Sequence, residues 1–348
     1  MTFKASLVMN SNTILVTGGA GYVGSVLIPS LLENNYKVKC LDRFFFGDEY
    51  LLSLKNGNLE LIYDDIRWFD GKILDNVDIV LDLAALSNDP VGELNPEKTF
   101  EINHIGRSRV AKLSKEHGVS KYILASSASI YGQQKDIVNE ESSVNPLTAY
   151  SKANRSAELD VLPLNDDNFT VSVLRFSSIY GLSPRMRFDL AVNSLVLDLY
   201  NTGKITVYGK NNRRPFLHIK DAIRAYQLAI TANKKIMAGQ IFNVGSDEQN
   251  YSIFELAKET GDAISHDYVL DAQDTPDNRS YVASFSKIKN SLGFESKYTV
   301  KEGSKEIHSA LSSGELKYSI KNITLKWYNH ILSNQKLSSE LSINGKLL

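Results

Sequence analysis

The sequence predicts an α/β fold: a doubly wound parallel sheet of the Rossmann type, with a smaller α/β lobe interwoven after it. Three observations carry that reading. Short β-branched runs alternate with helical patterns through the first half, which is the rhythm of βαβ units in a parallel sheet. A glycine triad stands at the first strand-to-helix junction, in TILVTGGAGYVGS over 13–25. After about residue 180 the rhythm loosens, as expected where a second lobe is woven into the first.

Taken in order, TILVTG (13–18) reads as a buried strand and SVLIPSLLENNY (25–36) as the helix after it. Pro29 is expected to kink or weaken that helix, because proline lacks the donor and crowds the preceding turn. KVKCLD (37–42), LELIYDD (59–65), DIVLDLAA (78–85), KYILASS (121–127) and FTVSVLRF (169–176) follow as strands. A helix over 98–117 is one of the crossovers. Beyond these come a helix near 188–201, the strand KITVYG (204–209), a helix near 220–232, the strand QIFNVGS (240–246) and a helix from Ser252. The expected division is a first domain over 12–180, to which later segments return, and a second lobe over 181–330. Residues 1–11 and 333–348 are expected to be loose termini.

Composition narrows the function. Hydrophobic residues at 43% and charged residues at 23% are ordinary for a globular protein, and 348 residues suffice for two lobes around sizeable cores. The net charge is −1 and basic residues form no runs, so a nucleic-acid partner is not expected. A single cysteine, Cys40, excludes an intramolecular disulfide. Set in an apolar run, it reads as a core thiol in a reducing, cytoplasmic compartment. No apolar run approaches the ~20 residues a membrane span needs. Six scattered histidines and no Cys/His cluster predict no metal site.

The glycine turn points to a cofactor. Gly18, Gly21 and Gly24, with Tyr22 and Val23 between, lie straight after a strand and open into a helix. The first glycine permits the tight turn, and the next lets a pyrophosphate approach backbone N–H groups at the helix N-terminus. Asp42 ends the second strand, where a carboxylate accepts from adenosine ribose hydroxyls and repels a 2′-phosphate, so NAD is expected over NADP. Arg43, next to it, works against that preference. Asp65 and Ile66, at the end of the third strand, suit the adenine edge.

The glycine spacing is GxxGxxG. Together with DLAAL (82–86), SSASIYG (126–132) and Tyr150, it resembles the extended short-chain dehydrogenase/reductase family, whose members work on nucleotide sugars. The resemblance covers about residues 12–310. RRPFLHIKD (213–221) and PDNRSYVAS (276–284) look like that family's nucleotide-contacting stretches, and YGLSPRMRFDLAVN (180–193) is closest to a subset that includes GDP-heptose 4-dehydrogenases. The resemblance implies NAD as cofactor and a nucleotide sugar as substrate. It makes Tyr150 the acid/base that takes a sugar hydroxyl proton, and Ser127 its hydrogen-bonding companion. Leu83, Ala84, Ala85 and Ser126 would lie against the cofactor, with Asn103 structural behind it. Phe176 and Ser178 would sit near nicotinamide and sugar, and Ser87 on the sugar side. Arg214 would meet the substrate diphosphate, with Asn193 and Arg279 nearby. It also implies a homodimer built on helices at 98–117 and 150–162.

Two departures from the family pattern matter. Ser127 is followed by Ala128 and Ser129, with no carboxylic acid to drive water elimination, which argues against 4,6-dehydration. Asn154 stands where the family has lysine, one helical turn from Tyr150. A free tyrosine, with a pKa of about 10, is only ~0.1% ionised at pH 7. A cation ~4 Å away at an effective dielectric of ~20 is worth about 4 kcal/mol, nearly three pKa units. Asparagine can grip the nicotinamide ribose but supplies no charge, so restoring lysine at 154 is expected to help. The leading reading is an NAD-dependent enzyme that oxidises a sugar ring carbon, C4, as an epimerase or dehydrogenase. The rival is a non-catalytic relative that binds the same ligands as a scaffold or regulator.

Overall fold

Strands β1 (Thr13–Thr17), β2 (Lys37–Asp42), β3 (Leu59–Tyr63), β4 (Ile79–Asp82), β5 (Lys121–Ser127), β6 (Thr170–Phe176) and β7 (Gln240–Val244) form the main sheet. Their order is β7-β6-β5-β4-β1-β2-β3, every pairing parallel. The computed structural model describes residues 12–54, 57–265, 267–275 and 277–348; the expectation for residues 1–11 lies outside them. Alternation along β1 builds both faces. Ile14 and Val16 join Val38, Cys40, Leu81 and Ile123 in one core, while Leu15 joins Leu41, Val80, Tyr122 and Leu124 in the other. Burial on both faces is why these strands read as continuous apolar runs.

Helix α1 (Gly24–Glu33) leaves the glycine turn directly and continues through Pro29. The helix expected over 98–117 is divided. Pro96–Phe100 is α-helical, Glu101–Gly106 is a π-helical turn, and α2 (Arg107–Glu116) follows. Such wide turns favour functional regions. This one carries Asn103, whose amide accepts from the Leu86 N–H at 2.8 Å and donates to the Leu86 carbonyl at 3.0 Å. It thereby pins the loop after β4. Helix α3 (Ala149–Val161) begins at a capping box in which Thr148 and Ser151 satisfy each other's backbone N–H groups. That cap fixes Tyr150 in the first turn.

The second lobe has its own core around Tyr180, Phe188, Val196, Ile205, Phe216 and Leu256. Arg213–His218 is the centre of its three-stranded sheet, between Ser178–Tyr180 and Asn250–Ser252. Between Arg213–His218 and Asn250–Ser252 the chain returns to the main sheet as β7.

The end of the chain corrects an expectation. Residues 333–348 are not a loose tail. Helix α4 (Thr324–Ser333) is followed by α5 (Gln335–Leu341) and a bridge between Ile343 and Lys346. Leu337, Leu341, Leu347 and Leu348 pack on a core of Phe45, Leu86, Val91, Trp327, Tyr328 and Ile331. The Trp327 indole donates to the Phe45 carbonyl at 2.6 Å. The tail's polar residues alternate with leucines that have a buried face to cover, and the sequence alone does not show that face.

Candidate active site

A cavity of about 490 Å³ opens at the C-terminal ends of the main-sheet strands. It includes the junction between β1 and β4, where chain direction across the sheet switches. Open α/β sheets bind ligands there.

The glycine turn forms one wall. Gly18 has φ +67°, and a Cβ there would meet the Ala84 backbone at 2.8 Å; a Cβ on Gly24 would meet the Gly19 carbonyl at 2.4 Å. Only glycine lets the turn lie this close to β4. Gly21 and Val23 also line the cavity. Tyr22 lines it too, but its hydroxyl donates to the Gly181 carbonyl at 2.6 Å and ties the turn to the second lobe. Leu83, Ala84 and Ala85 form the floor. The Thr17 hydroxyl accepts from the N–H groups of Leu83 and Ala84 and donates to Asp82 at 2.5 Å.

At the ribose end, the Asp42 carboxylate accepts from the N–H groups of Ala20 (3.0 Å) and Phe44 (2.8 Å). Burial pushes its pKa up against those bonds. Arg43 does not join it. Its guanidinium pairs with Asp65 at 2.7 Å and donates to the carbonyls of Leu341 and Lys346 in the C-terminal segment. Asp65 stands where the adenine edge was expected. It lines the cavity beside Ile66, but its carboxylate is committed to Arg43 and Arg67. Burial works against that charge, yet Arg67 and Arg43 outweigh it and hold the carboxyl below its usual range.

The reactive end gathers Ser126, Ser127, Tyr150, Asn154, Phe176 and Ser178 around one space. The Ser127 and Tyr150 side chains face the same part of the cavity. Burial, then the Asp89 carboxylate, pushes the Tyr150 phenol up; Ser127, Arg107 and Arg187 pull it part of the way back. The Ser126 hydroxyl donates at 2.6 Å to Glu158, a fully buried carboxylate held by Arg175.

Asn154 lines the cavity, where the grip on ribose was expected, and its amide uses one of its two N–H donors and one acceptor position within the protein. Its Nδ2 donates to the Tyr150 carbonyl at 2.9 Å, and its Oδ1 accepts from Arg107 at 2.8 Å.

On the substrate side, Arg214 and Arg279 both reach the cavity. Arg214 pairs with Asp277 at 3.0 Å, while Arg279 pairs with Asp277 at 2.7 Å and with Asp89. Ser87 accepts from Arg187 at 3.0 Å, and Arg187 pairs with Asp189 at 2.9 Å. Asn193 is the misplaced residue. It is fully buried and off the cavity, bonding the Gly181 N–H, the Arg187 carbonyl and the Tyr22 hydroxyl. Asn103 is likewise off the cavity wall. Sequence reasoning missed Arg185, Arg187 and Asp189, although RMRFD, with three charges in five residues beside YG, was the available signal. Arg107 gave no signal, since an arginine opening a helix segment usually faces solvent.

Residues 14–245 match the family described as NAD dependent epimerase/dehydratase. A putative UDP-glucose 4-epimerase of Methanocaldococcus jannaschii is 29% identical over 84% of this chain and 96% of that protein. The UDP-glucuronic acid decarboxylase 1 of Xenopus tropicalis is 28% identical over 85% of this chain and 71% of its own length. Among solved structures, a Bacillus cereus UDP-glucuronic acid 4-epimerase in complex with UDP-glucuronic acid and NAD aligns with TM-score 0.78. Its identity is 24%, over 86% of this chain and 99% of that one.

Proposed function

The chain belongs to the NAD dependent epimerase/dehydratase family, and from that premise we propose that it oxidises C4 of a nucleotide sugar's ring by hydride transfer, as an epimerase or dehydrogenase. The observation that carries this is that Tyr150 and Ser127 line the same cavity as the glycine turn and Asp42. NAD, when bound, supplies the hydride acceptor. Gly18, Gly21 and Gly24 leave room for its pyrophosphate, and Asp42 suits its ribose. Arg43, the neighbour of Asp42 that would favour a 2′-phosphate, is turned instead toward Asp65 and the C-terminal segment.

This chain's own work is binding and proton transfer. Ser127 orients the sugar hydroxyl, and Tyr150 takes its proton as the ring carbon is oxidised. Epimerisation and dehydrogenation are favoured over 4,6-dehydration because Ala128 and Ser129, after Ser127, bring no carboxylic acid. Asp89, the carboxylate that acts on Tyr150, is tied to Arg279 and accepts from Thr148 at 2.5 Å. Arg214 and Arg279 serve the substrate diphosphate by exchanging their carboxylate partners for phosphate oxygens.

The test is a panel of UDP-, GDP-, dTDP- and CDP-sugars, scored for reduced cofactor and for products. At least one is expected to be converted, and Arg214→Ala is expected to weaken its binding about tenfold or more without touching NAD. Failure of the whole panel would sink the catalytic reading. Unchanged substrate affinity in the variant would remove Arg214 from the site.

We also propose a homodimer through α2, the turns before it and α3. Ile105 is 60% exposed and Leu159 56% exposed on those elements, an apolar pair that association would cover. Light scattering at micromolar concentration should give twice the chain mass, and a monomer mass refutes the pairing.

A further inference from the structure

We propose that Arg107, its guanidinium set directly behind Asn154, supplies to the Tyr150 phenol the positive charge that a lysine at position 154 would bring. The inference rests on Tyr150 as the proton acceptor. Arg107 opens α2 directly after the π-helical turn, which faces it inward; it is 1% exposed and still touches the cavity. Its three nitrogens have separate tasks. Nε pairs with Asp82 at 3.3 Å, Nη2 donates to the carbonyls of Asp82 (2.9 Å) and Ala125, and Nη1 donates to Asn154 Oδ1 at 2.8 Å.

Asp82 does not simply cancel this charge. Its carboxylate also accepts from the Thr17 and Tyr122 hydroxyls, so its negative charge is shared among donors away from the cleft. The Nη1 end of the guanidinium faces Asn154. There it stands one hydrogen bond behind the side chain at position 154, on the wall of the cavity that the Tyr150 side chain also lines, while Nδ2 holds Asn154 to the Tyr150 main-chain carbonyl. Arginine suits the position because it keeps its charge when buried and fills several acceptors at once.

The other groups acting on the phenol come from different elements. Asp89, in the segment after β4, opposes ionisation. Arg187, in the segment before Ala191–Thr202, favours it, as does Ser127 at the end of β5. Tyr226, on the helix Ile219–Thr231, brings a further phenol to the same cavity. Lysine at 154 alone would set two buried cations within a hydrogen bond's length of each other. The cation has moved rather than vanished, so restoring the lysine without removing Arg107 is expected to harm rather than help.

The test reads the phenol directly. Protein labelled with ¹³C at tyrosine Cζ is loaded with NAD and titrated, and Tyr150 is assigned as the resonance missing from Tyr150→Phe. Arg107→Met is expected to move its titration up by about one pH unit, a tenfold loss of phenolate at fixed pH. Arg107→Met combined with Asn154→Lys keeps one cation in place and is expected to bring the titration back. The double variant also carries the test if Arg107→Met, by stranding Asp82, fails to fold. An unmoved titration in a folded Arg107→Met, or a double variant that stays at the raised value, overturns the proposal and leaves Arg107 a packing residue. Because no substrate is used, this outcome is separate from success or failure of the sugar-nucleotide panel.

Discussion

Tyr150→Phe is expected to lower the rate of sugar oxidation by about 10²–10⁴-fold, the usual worth of a positioned acid/base, while NAD binds as before. Phenylalanine keeps the ring and the helix cap of α3 and removes only the hydroxyl. The measurement is single-turnover cofactor reduction with whichever sugar nucleotide the panel identifies, beside equilibrium dialysis of NAD. The pH dependence has a defined sign. The proton acceptor is the phenolate, and burial with Asp89 keeps the group protonated past the ordinary tyrosine range. The wild-type rate should therefore rise with pH up to the phenol's titration, and the variant should lose that limb. If the variant keeps more than roughly a tenth of the rate, another group takes the proton, and Tyr150 is not the acid/base.

Glu158→Ala is expected to lower stability by about 3–5 kcal/mol, the cost of leaving one partner of a buried ion pair alone. Glu158 is fully buried on α3 and meets Arg175 on β6 at 2.9 and 2.8 Å. Burial opposes the Arg175 charge, but Glu158 overcomes it and holds the guanidinium above its ordinary range. Without Glu158, a cation stays inside the protein with the Tyr131 hydroxyl at 2.9 Å and little else. Ser126 loses its acceptor at the same time, so the cavity wall loosens with the core. Urea denaturation followed by circular dichroism measures the loss, and Glu158→Gln should lose less because it keeps the shape and some bonds. A midpoint unchanged by Glu158→Ala would mean that water or a side-chain shift replaces the pair.

What the sequence made legible was whatever has a local cause. β5 and the opening of α1 follow from alternation and from glycines that a Cβ would block. Asp42 follows from its place at a strand end. Tyr150 and Ser127 came from a resemblance, and the fold brings them together. The unreadable parts depend on distant partners. Arg107 looks like a surface charge until Asp82, 25 residues earlier, and Asn154, 47 later, meet it. Asn193 sits close in sequence to charged residues that reach the cavity, but one helical turn rotates it into the interlobe core. The π-helical turn has no compositional mark, and the tail's leucines read as scattered because the surface they cover belongs to Phe45 and Tyr328.

That last contact has a practical side. Leu348 borders the cleft, and the Leu341 and Lys346 carbonyls hold Arg43 at its adenosine end. A purification handle fused after Leu348 would therefore start at the cofactor's doorway, where its first residues would compete with the bonds to Arg43.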